Sequence, residues 1–371
     1  MSSSTPRVVH IVPALFGAGG VVGGAERYAF ELARHMARVT PTALVSFGDH
    51  DSDECVDGLR VRTVGRPWLV ARQRANPFSV RVLREIARAD VVHCHQQHIL
   101  MSSAAAVAAR ALGRRVFCSD LGGGGWDVSA YVSTDGWFHG HLHISAFSRD
   151  IAGHTGRTNA WVIHGGVDTA RFCPDPTRTR GPHALFVGRI LPHKGLDDLV
   201  DTAGSDTAIR IVGPAPAADY LEELRGRTAG RPVSFVHGLT DDALVAEYRG
   251  AGCIVLPSVY RDRQGGETLV PELLGQTLLE GMACGTPAVC TRVASLPEVV
   301  DGGRTGIVVA PNDPVALGSA IRWLRHHPAE ACRMGAAGRA RVLERFTWDR
   351  VVQHCLAIYD GGGSAHERAA A

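Results

Sequence analysis

The chain has 371 residues, a formal charge of +2, 45% hydrophobic residues and 20% charged residues. This composition is ordinary for a globular protein, and the length favours two domains. So small a net charge gives no reason to expect nucleic acid as a partner. No apolar run is long enough to span a membrane and residues 1–7 are too polar for a signal peptide, so a cytoplasmic protein is expected.

Cysteine and lysine usage narrows the possible sites. The nine cysteines are scattered without a CxxC pair, which favours reduced thiols over a zinc site. Of the 39 basic residues, Lys194 alone is lysine and all others are arginine. One lysine among so many arginines indicates a position that requires a compact ammonium group. The alternative is an accident of one codon.

The first half begins with a predicted buried strand at 7–13, a glycine-rich loop at 16–27 and a helix at 26–38. The loop fails the GxGxxG pattern because Val22 stands where the last glycine is required, so it is not a standard NAD site. Its glycines instead allow close approach of a ligand to the backbone.

Two charged segments follow. After a strand at 42–47, Asp51 and Asp53 match the DxD pattern that binds metal in one class of transferase, although a solvated acidic loop is favoured. The segment 66–88 is rich in arginine, and Arg81, Arg84 and Arg88 are predicted to share a helical face. That face could hold an anionic acceptor or an acidic lipid surface, but a solvated basic face is favoured.

Polar residues end the next strands. His93 and His95 lie in a strand at 90–96, where alternation places both imidazoles on one face. With no carboxylate or cysteine clustered beside them, hydrogen bonding to ligand hydroxyls is favoured over metal binding. A strand at 116–119 runs into Asp120 and a glycine run, which predicts a loop that a ligand approaches closely.

Strand–helix alternation occurs in both halves, which predicts two doubly wound α/β domains facing a cleft. The expected domains are 1–172 and 183–345, joined by a Pro- and Arg-rich linker at 173–182. A final amphipathic helix at 346–360 and a disordered tail at 361–371 complete the chain.

One stretch of the second half carries the strongest chemical signal. A strand at 253–256 leads through a polar loop to a helix at 275–283, with Glu272 before the helix and Glu280 within it. The free amides at the start of this helix suit a phosphate. Amides that bind a phosphate, with a carboxylate on either side to accept hydrogen bonds from sugar hydroxyls, are what a sugar-nucleotide site requires. The alternative is an ordinary amphipathic turn.

Taken together, residues 7–360 resemble the retaining glycosyltransferases of family 4, which have the GT-B fold of two Rossmann-like domains. The Glu272–Glu280 pair matches, as do several segments in order. These segments are GGAE at 23–26, DVVHCH at 90–95, HISAFS at 143–148, VIHGGVDTARF at 162–172, VGRI and PHKG at 187–195, LEGMACGTPAV at 279–289, LPEVV at 296–300 and TGIVV at 305–309.

The resemblance implies a role for each matched position. Arg189 and Lys194 are expected on the donor diphosphate, where they replace a divalent cation, and Glu280 on the nucleotide ribose. Glu272 is expected at the donor sugar. The remaining donor-binding positions are the backbone of Leu273, Leu274, Gly275 and Gln276 at the distal phosphate, Gly23 and Gly24 at the diphosphate, and Leu239 at the base.

This chain also departs from the family pattern. An insertion at 261–271 precedes Glu272, and an alternative register would use Glu267 as the sugar-facing carboxylate. Where many members have a histidine, this chain has Asp120, which could act as a base or anchor an amine. His93, His95 and Asp120 are the candidate acceptor- or sugar-binding residues.

The predicted function is therefore metal-independent, retaining transfer of a sugar from a nucleoside-diphosphate sugar, with no cofactor. A UDP-sugar is favoured over a GDP-sugar, and a small polar molecule or natural product as acceptor. The alternatives are a nucleotide-sugar epimerase, a glycolipid-directed transferase at a membrane surface, a pyridoxal-dependent phosphorylase using Lys194 and a nucleotide-sugar sensor. Membrane contact is not favoured, and the sequence leaves the oligomeric state open.

Overall fold

A computed structural model describes residues 5–15, 23–122, 125–204 and 207–361. The predicted loop residues 16–22, glycines 123 and 124, and the tail from 362 onward lie outside the described residues. The chain divides into two compact units, Met1–Gly166 with Trp348–Ala371, and Val167–Thr347. The predicted linker at 173–182 lies within the second of these units.

The described residues form strands and helices that alternate along most of the chain, apart from β2 to β6, which follow one another without an intervening α-helix. The strands are β1 (Val8–Leu15), β2 (Thr42–Gly48), β3 (Ser52–Val56), β4 (Leu59–Gly65), β5 (Trp68–Leu69), β6 (Pro77–Phe78), β7 (Val91–Cys94), β8 (Arg115–Cys118), β9 (Gly140–His143), β10 (Ala160–Val162), β11 (Ala184–Val187), β12 (Ile209–Val212), β13 (Val233–Val236), β14 (Cys253–Leu256), β15 (Ala288–Thr291) and β16 (Gly306–Val309). The helices are α1 (Gly24–Met36), α2 (Leu83–Arg88), α3 (Leu100–Ala111), α4 (Ala146–Ile151), α5 (Leu196–Asp201), α6 (Ala218–Arg227), α7 (Asp241–Gly250), α8 (Gln276–Ala283), α9 (Leu296–Val299), α10 (Pro314–His326), α11 (Pro328–Arg345) and α12 (Trp348–Tyr359).

The first unit contains a sheet of order β10-β9-β8-β7-β1-β2-β4-β3. Its central strands are apolar on both faces and pair in parallel, so they are buried between helices. The exception is β3, which pairs antiparallel with β4. The prediction of a solvated acidic loop at 48–55 is therefore wrong from Ser52 onward, where β3 begins. Asp57 and Gly58, both with positive φ, form a two-residue hairpin turn.

The last helix packs in the first unit. The indole of Trp348 lies 5.3 Å from the ring of Tyr28 in α1. A Cβ at Gly166 would lie 2.7 Å from the backbone nitrogen of Trp348, so this contact requires glycine. At the other end of α12, the hydroxyl of Tyr359 hydrogen-bonds Nδ1 of His93 at 2.6 Å.

The second unit contains a parallel sheet of order β13-β12-β11-β14-β15-β16. Chain order reverses between β11 and β14, and ligands of such sheets bind beyond the carboxyl ends of the strands at that point. The segments that follow β11 and β14 contain Lys194 and Glu272. No helix in the described ranges is long and apolar enough to cross a bilayer.

Candidate functional site

Lys194 and Glu272 form an ion pair at the carboxyl end of the second sheet. Lys194 Nζ lies 2.5 Å from Glu272 Oε1 and 3.3 Å from the carbonyl oxygen of Pro271. The two side chains are only 12% and 11% exposed. The hydroxyl of Ser258, which is fully buried, donates to the same Glu272 oxygen at 2.7 Å. Both charges are thus held in a fixed, nearly dry position.

The backbone around Lys194 fixes its direction. Lys194 ends a 3₁₀ turn (Pro192–Lys194), and Gly195 then takes the left-handed conformation, with φ of +67°. A Cβ at Gly195 would lie 1.9 Å from the carbonyl oxygen of Pro257, which follows β14. Only glycine allows the two loops this close, and their contact brings Lys194 to Glu272.

The start of α8 lies directly after Glu272. Gly275 is its N-cap with φ of +81°, and the helix begins at Gln276, one residue from the predicted start. The backbone N–H groups of Leu273, Leu274 and Gly275 donate to no residue in the described ranges. A helix N-terminus with unused donors next to an ammonium group is suited to a phosphate.

The other predicted donor residues lie at the same edge of this sheet or within α8. Glu280 in α8 is 5% exposed and accepts a hydrogen bond from the hydroxyl of Tyr248 at 2.7 Å. Arg189 follows β11, is exposed, and makes no hydrogen bond or ion pair with a described residue. Leu239 is half-buried in the loop after β13. Burial and the charge of Lys194 lower the pKa of neighbouring His193.

Gly23 and Gly24 belong to the first unit, where they open α1. Gly23 has φ of +127°, and a Cβ there would lie 2.6 Å from Glu26 Oε2. The glycine is therefore required locally. The loop 16–22 that leads to it lies outside the described residues.

The insertion at 261–271 distinguishes the two candidate glutamates. Glu267 is 58% exposed and pairs with Arg261 across a short bridge. Arg263 anchors the insertion to α5 through Asp198 at 3.0 Å and Asp201 at 2.7 Å. Glu272, and not Glu267, is the carboxylate that contacts Lys194 in this structure.

His93 and His95 lie in the core of the first unit. Their rings are 4.4 Å apart, on the shared face that strand alternation predicts. His93 is fully buried, and its two ring nitrogens contact Tyr359 at 2.6 Å and Ser119 at 2.9 Å. Both ring nitrogens of His93 are therefore occupied, and neither is available to a sugar hydroxyl in this arrangement. His95 contacts His10 at 2.8 Å, and its Nδ1 has no partner among the described residues.

Asp120 follows β8, and its neighbours offset only part of the cost of burying its negative charge. Burial raises the pKa of its carboxyl, while the charge of His98 and the N–H groups of Gly122 and Gln97 act in the opposite direction. Its Oδ1 is buried without a hydrogen-bond partner among the described residues. A buried carboxyl with a raised pKa and an unused oxygen is able to take part in proton transfer.

Several charged side chains elsewhere in the first unit pair with their neighbours. Asp51 pairs with Arg81 at 2.7 Å and Asp53 with Arg60 at 2.7 Å, and these hydrogen bonds hold the pKa of both carboxyls below the ordinary value. Arg81 lies in a 3₁₀ turn that runs directly into α2, which contains Arg84 and Arg88.

Sequence reasoning missed two kinds of polar residue. Ser258 and Tyr248 orient the two predicted glutamates, and their neighbours in sequence gave no sign of this. It also missed a cluster of Asp135, His141 and His154, for which the alternation of histidines at 139, 141 and 143 was an available signal. The cluster lies in the first unit.

The arrangement matches known glycosyltransferases in fold. HepE of Anabaena, solved in complex with UDP and glucose, superposes with a TM-score of 0.73 at 16% identity, covering 96% of this chain and 99% of that one. Sucrose-phosphate synthase of Thermosynechococcus elongatus gives 0.70 at 20% identity, covering 96% and 98%. The chain therefore has the GT-B fold, and the prediction of two Rossmann-like domains is confirmed.

Sequence comparison gives the family. The model for glycosyl transferases group 1 matches residues 174–341, and the model for Glycosyltransferase Family 4 matches residues 22–171. The alpha-maltose-1-phosphate synthase of Mycobacterium tuberculosis is 31% identical over 271 residues, 64% of this chain and 67% of the relative. The chain belongs to the family 4 glycosyltransferases.

Other relatives match over a shorter span. The GDP-mannose-dependent alpha-(1-6)-phosphatidylinositol monomannoside mannosyltransferase of Mycolicibacterium smegmatis is 35% identical over 203 residues, 49% of this chain and 51% of the relative. The chain thus spans about half the length of several curated relatives that it matches.

Proposed function

We propose that this chain transfers a sugar from a nucleoside-diphosphate sugar to an acceptor, with retention at the anomeric carbon and without a divalent metal at the diphosphate. The observation that carries the proposal is the Lys194–Glu272 contact of 2.5 Å beside the unused N–H groups at 273–275. The ammonium group and the helix N-terminus offer positive charge to phosphate oxygens, and the carboxylate accepts from a sugar hydroxyl.

The chemistry requires stabilisation of the leaving group. Breaking the bond between the anomeric carbon and the diphosphate builds oxocarbenium character on the sugar and negative charge on the departing oxygen. Once the diphosphate has drawn Lys194 away from Glu272, Lys194, Arg189 and the helix N–H groups would compensate that charge in the transition state. No protein nucleophile is required. Retention follows when the acceptor enters on the face that the diphosphate leaves.

The remaining donor contacts complete this proposal. Glu280 would accept from the ribose hydroxyls and the loop at Leu239 would contact the base, while Gly23 and Gly24 would bring the α1 backbone to the diphosphate. A UDP-sugar is favoured because HepE, which shares the fold, was solved with UDP. A GDP-sugar is the second choice, since a relative is named GDP-mannose-dependent.

The acceptor is proposed to be a small polar molecule or natural product, with Asp120 on the acceptor side. Its raised pKa suits a group that receives the proton of the attacking hydroxyl. A glycolipid acceptor is the second candidate. It is favoured by the basic segment 66–88, in which Trp68 is 60% and Val80 64% exposed.

The donor proposal is tested by thermal unfolding in EDTA with UDP, GDP, ADP and dTDP. One nucleotide should raise the melting temperature of the wild type and fail to do so in Lys194→Ala. Arg304→Ala is the matched control, because Arg304 lies in the same unit with its side chain 71% exposed. If no nucleotide stabilises the protein, or if Lys194→Ala responds like the wild type, the proposed diphosphate site is wrong.

The transfer is then followed by nuclear magnetic resonance with the matching nucleotide sugar. Retention predicts a product with the donor's anomeric configuration, formed only when an acceptor is present. Conversion of the donor sugar without an acceptor would instead identify an epimerase. Products formed only with vesicles that contain a glycolipid would favour the membrane-surface alternative.

A further inference from the structure

A second group of polar side chains lies in the first unit, apart from the residues proposed for the donor. Asp135, His141 and His154 each offer a ligand atom, and these atoms lie within 4.8 Å of one another. Asp135 begins a 3₁₀ turn (Asp135–Trp137), His141 lies in β9 and His154 follows α4. Both histidines are at most 2% exposed. The fold thus gathers them from three separate elements.

We propose that these three residues bind a divalent metal ion that favours tetrahedral coordination, such as Zn²⁺. Bonds of about 2.0–2.2 Å in tetrahedral geometry place two ligand atoms roughly 3.3–3.6 Å apart. Asp135 Oδ2 and His154 Nε2 are 3.4 Å apart in this structure. This separation already fits two positions of such a site. The third ligand atom, from His141, lies within 4.8 Å of these two. Because His141 Nε2 is 3.2 Å from the carbonyl oxygen of Asp135, either Nδ1 binds the ion or this contact is exchanged.

The neighbours of the ligands hold them as metal-binding side chains are usually held. His154 Nδ1 is 3.0 Å from His143 Nε2, so its Nε2 can face the ion. The amide of Gln97 donates to Asp135 Oδ1 at 2.7 Å, which leaves Oδ2 for the ion. Ligating histidines and carboxylates are typically oriented by such contacts through their second polar atom.

At the Asp135 carboxylate, one contact would have to be exchanged. Arg157 donates to Asp135 Oδ2 at 2.9 Å, but its side chain is 42% exposed and can turn into solvent. A cation in its place would keep the Asp135 charge compensated. Nearby, Asp120 carries a buried Oδ1 without a hydrogen-bond partner in the described ranges, and its charge acts on His154. The carboxyl of Asp120 therefore adds negative charge in the neighbourhood of the cluster.

The other histidine cluster of this unit serves as a contrast. The ligand atoms of His10, His93 and His95 also lie within 4.8 Å of one another, but all three are buried and no described carboxylate belongs to the group. Both ring nitrogens of His93 already contact Ser119 and Tyr359. An ion there would lack both a free His93 nitrogen and an anionic ligand to offset its charge.

The test is titration of EDTA-treated, dialysed protein with Co²⁺, a spectroscopic substitute for Zn²⁺. One equivalent should bind with the strong visible absorption of tetrahedral cobalt, and Zn²⁺ should displace it. His154→Ala should abolish this signal, and His143→Ala should weaken affinity about 10–100-fold, as loss of an orienting contact does. His50→Ala, which removes an exposed histidine of the same unit, should bind like the wild type.

Two results would overturn the proposal. One is the absence of stoichiometric binding by the wild type, and the other is equal binding by His154→Ala. Far-UV circular dichroism checks that each variant folds, and Asp135→Asn replaces His154→Ala if the latter does not. Nucleotide-induced stabilisation in EDTA is measured separately, so failure of the metal site and failure of the donor site are distinguishable.

Discussion

Replacing Glu272 by glutamine is expected to tighten the binding of a free nucleoside diphosphate while slowing sugar transfer. In this structure, Glu272 holds the ammonium group of Lys194 at 2.5 Å. A diphosphate must draw Lys194 away from this carboxylate before it can bind. Glutamine is nearly the same size and still accepts from Ser258, but it releases Lys194 more readily because it carries no charge.

The size of the effect follows from the difference between charged and neutral hydrogen bonds. A hydrogen bond to a charged group contributes about 1.5–3 kcal/mol and a neutral one about 0.5–1.5 kcal/mol. Because the Lys194 and Glu272 side chains are only 12% and 11% exposed, solvent screening is limited. A gain of about 1–1.5 kcal/mol corresponds to roughly five- to twelvefold tighter binding of UDP. Transfer should fall more than about tenfold, since glutamine is a weaker acceptor for the sugar hydroxyl.

Isothermal titration calorimetry with UDP in EDTA measures the first effect, and turnover of the matching UDP-sugar measures the second. Glu267→Gln is the control, because Glu267 lies in the same loop but is 58% exposed and paired with Arg261. It should change neither quantity. Unchanged or weaker UDP binding by Glu272→Gln would refute the idea that this ion pair competes with the diphosphate.

Two further predictions concern stability. Gly195→Ala should lower the free energy of unfolding, measured in urea, by several kcal/mol, because the added Cβ would lie 1.9 Å from the carbonyl oxygen of Pro257. Gly230→Ala is the control, since Gly230 has a similar φ but open space around it, and it should cost only about 1 kcal/mol. Burial lowers the pKa of His10 to about 3. Between about pH 6.5 and 3 the unfolded state therefore binds one proton more than the folded state, so the free energy of unfolding decreases as the pH is lowered. The loss from this residue is about 2 kcal/mol at pH 5, and His10→Gln should flatten the pH dependence by up to one proton; an unchanged slope would contradict it.

The fold was largely predictable because its signals are local. Continuous apolar strands followed by amphipathic helices appear in both halves, and the predicted start of α8 differs from the structure by one residue. The error at Ser52–Val56 came from giving more weight to acidic composition than to the turn signal at Asp57-Gly58. This hairpin edge strand tolerates charge because nearly all of its residues are exposed, and Arg60 of the adjacent strand β4 pairs with Asp53.

The candidate site was predictable only in part. The sequence shows the spacing between Glu272 and Glu280, and it shows that Lys194 is the single lysine. The contact between Lys194 and Glu272 depends on two loops that meet at Gly195. The burial of His93 was not visible, because its partner Tyr359 lies 266 residues away. The same holds for the Asp135 cluster, whose members converge only through tertiary packing. Long-range partners decide whether a polar residue is available to a ligand, and local patterns do not contain them.

Lys194, the single lysine of the chain, should not be replaceable by arginine. Elsewhere this chain uses arginine for every positive charge, yet Lys194 fits between Glu272 and the Pro271 carbonyl with only 12% of its side chain exposed. A planar guanidinium brings more N–H groups than this position can satisfy, and each unsatisfied one costs about 1–3 kcal/mol.

Lys194→Arg should therefore keep its charge but bind UDP at least about tenfold more weakly by calorimetry in EDTA. Arg189→Lys, the converse exchange at an exposed position without a described hydrogen-bond or ion-pair partner, should have a smaller effect. Equal binding by Lys194→Arg and the wild type would mean that charge alone matters here. The single lysine would then be an accident of codon usage and not a requirement of the diphosphate.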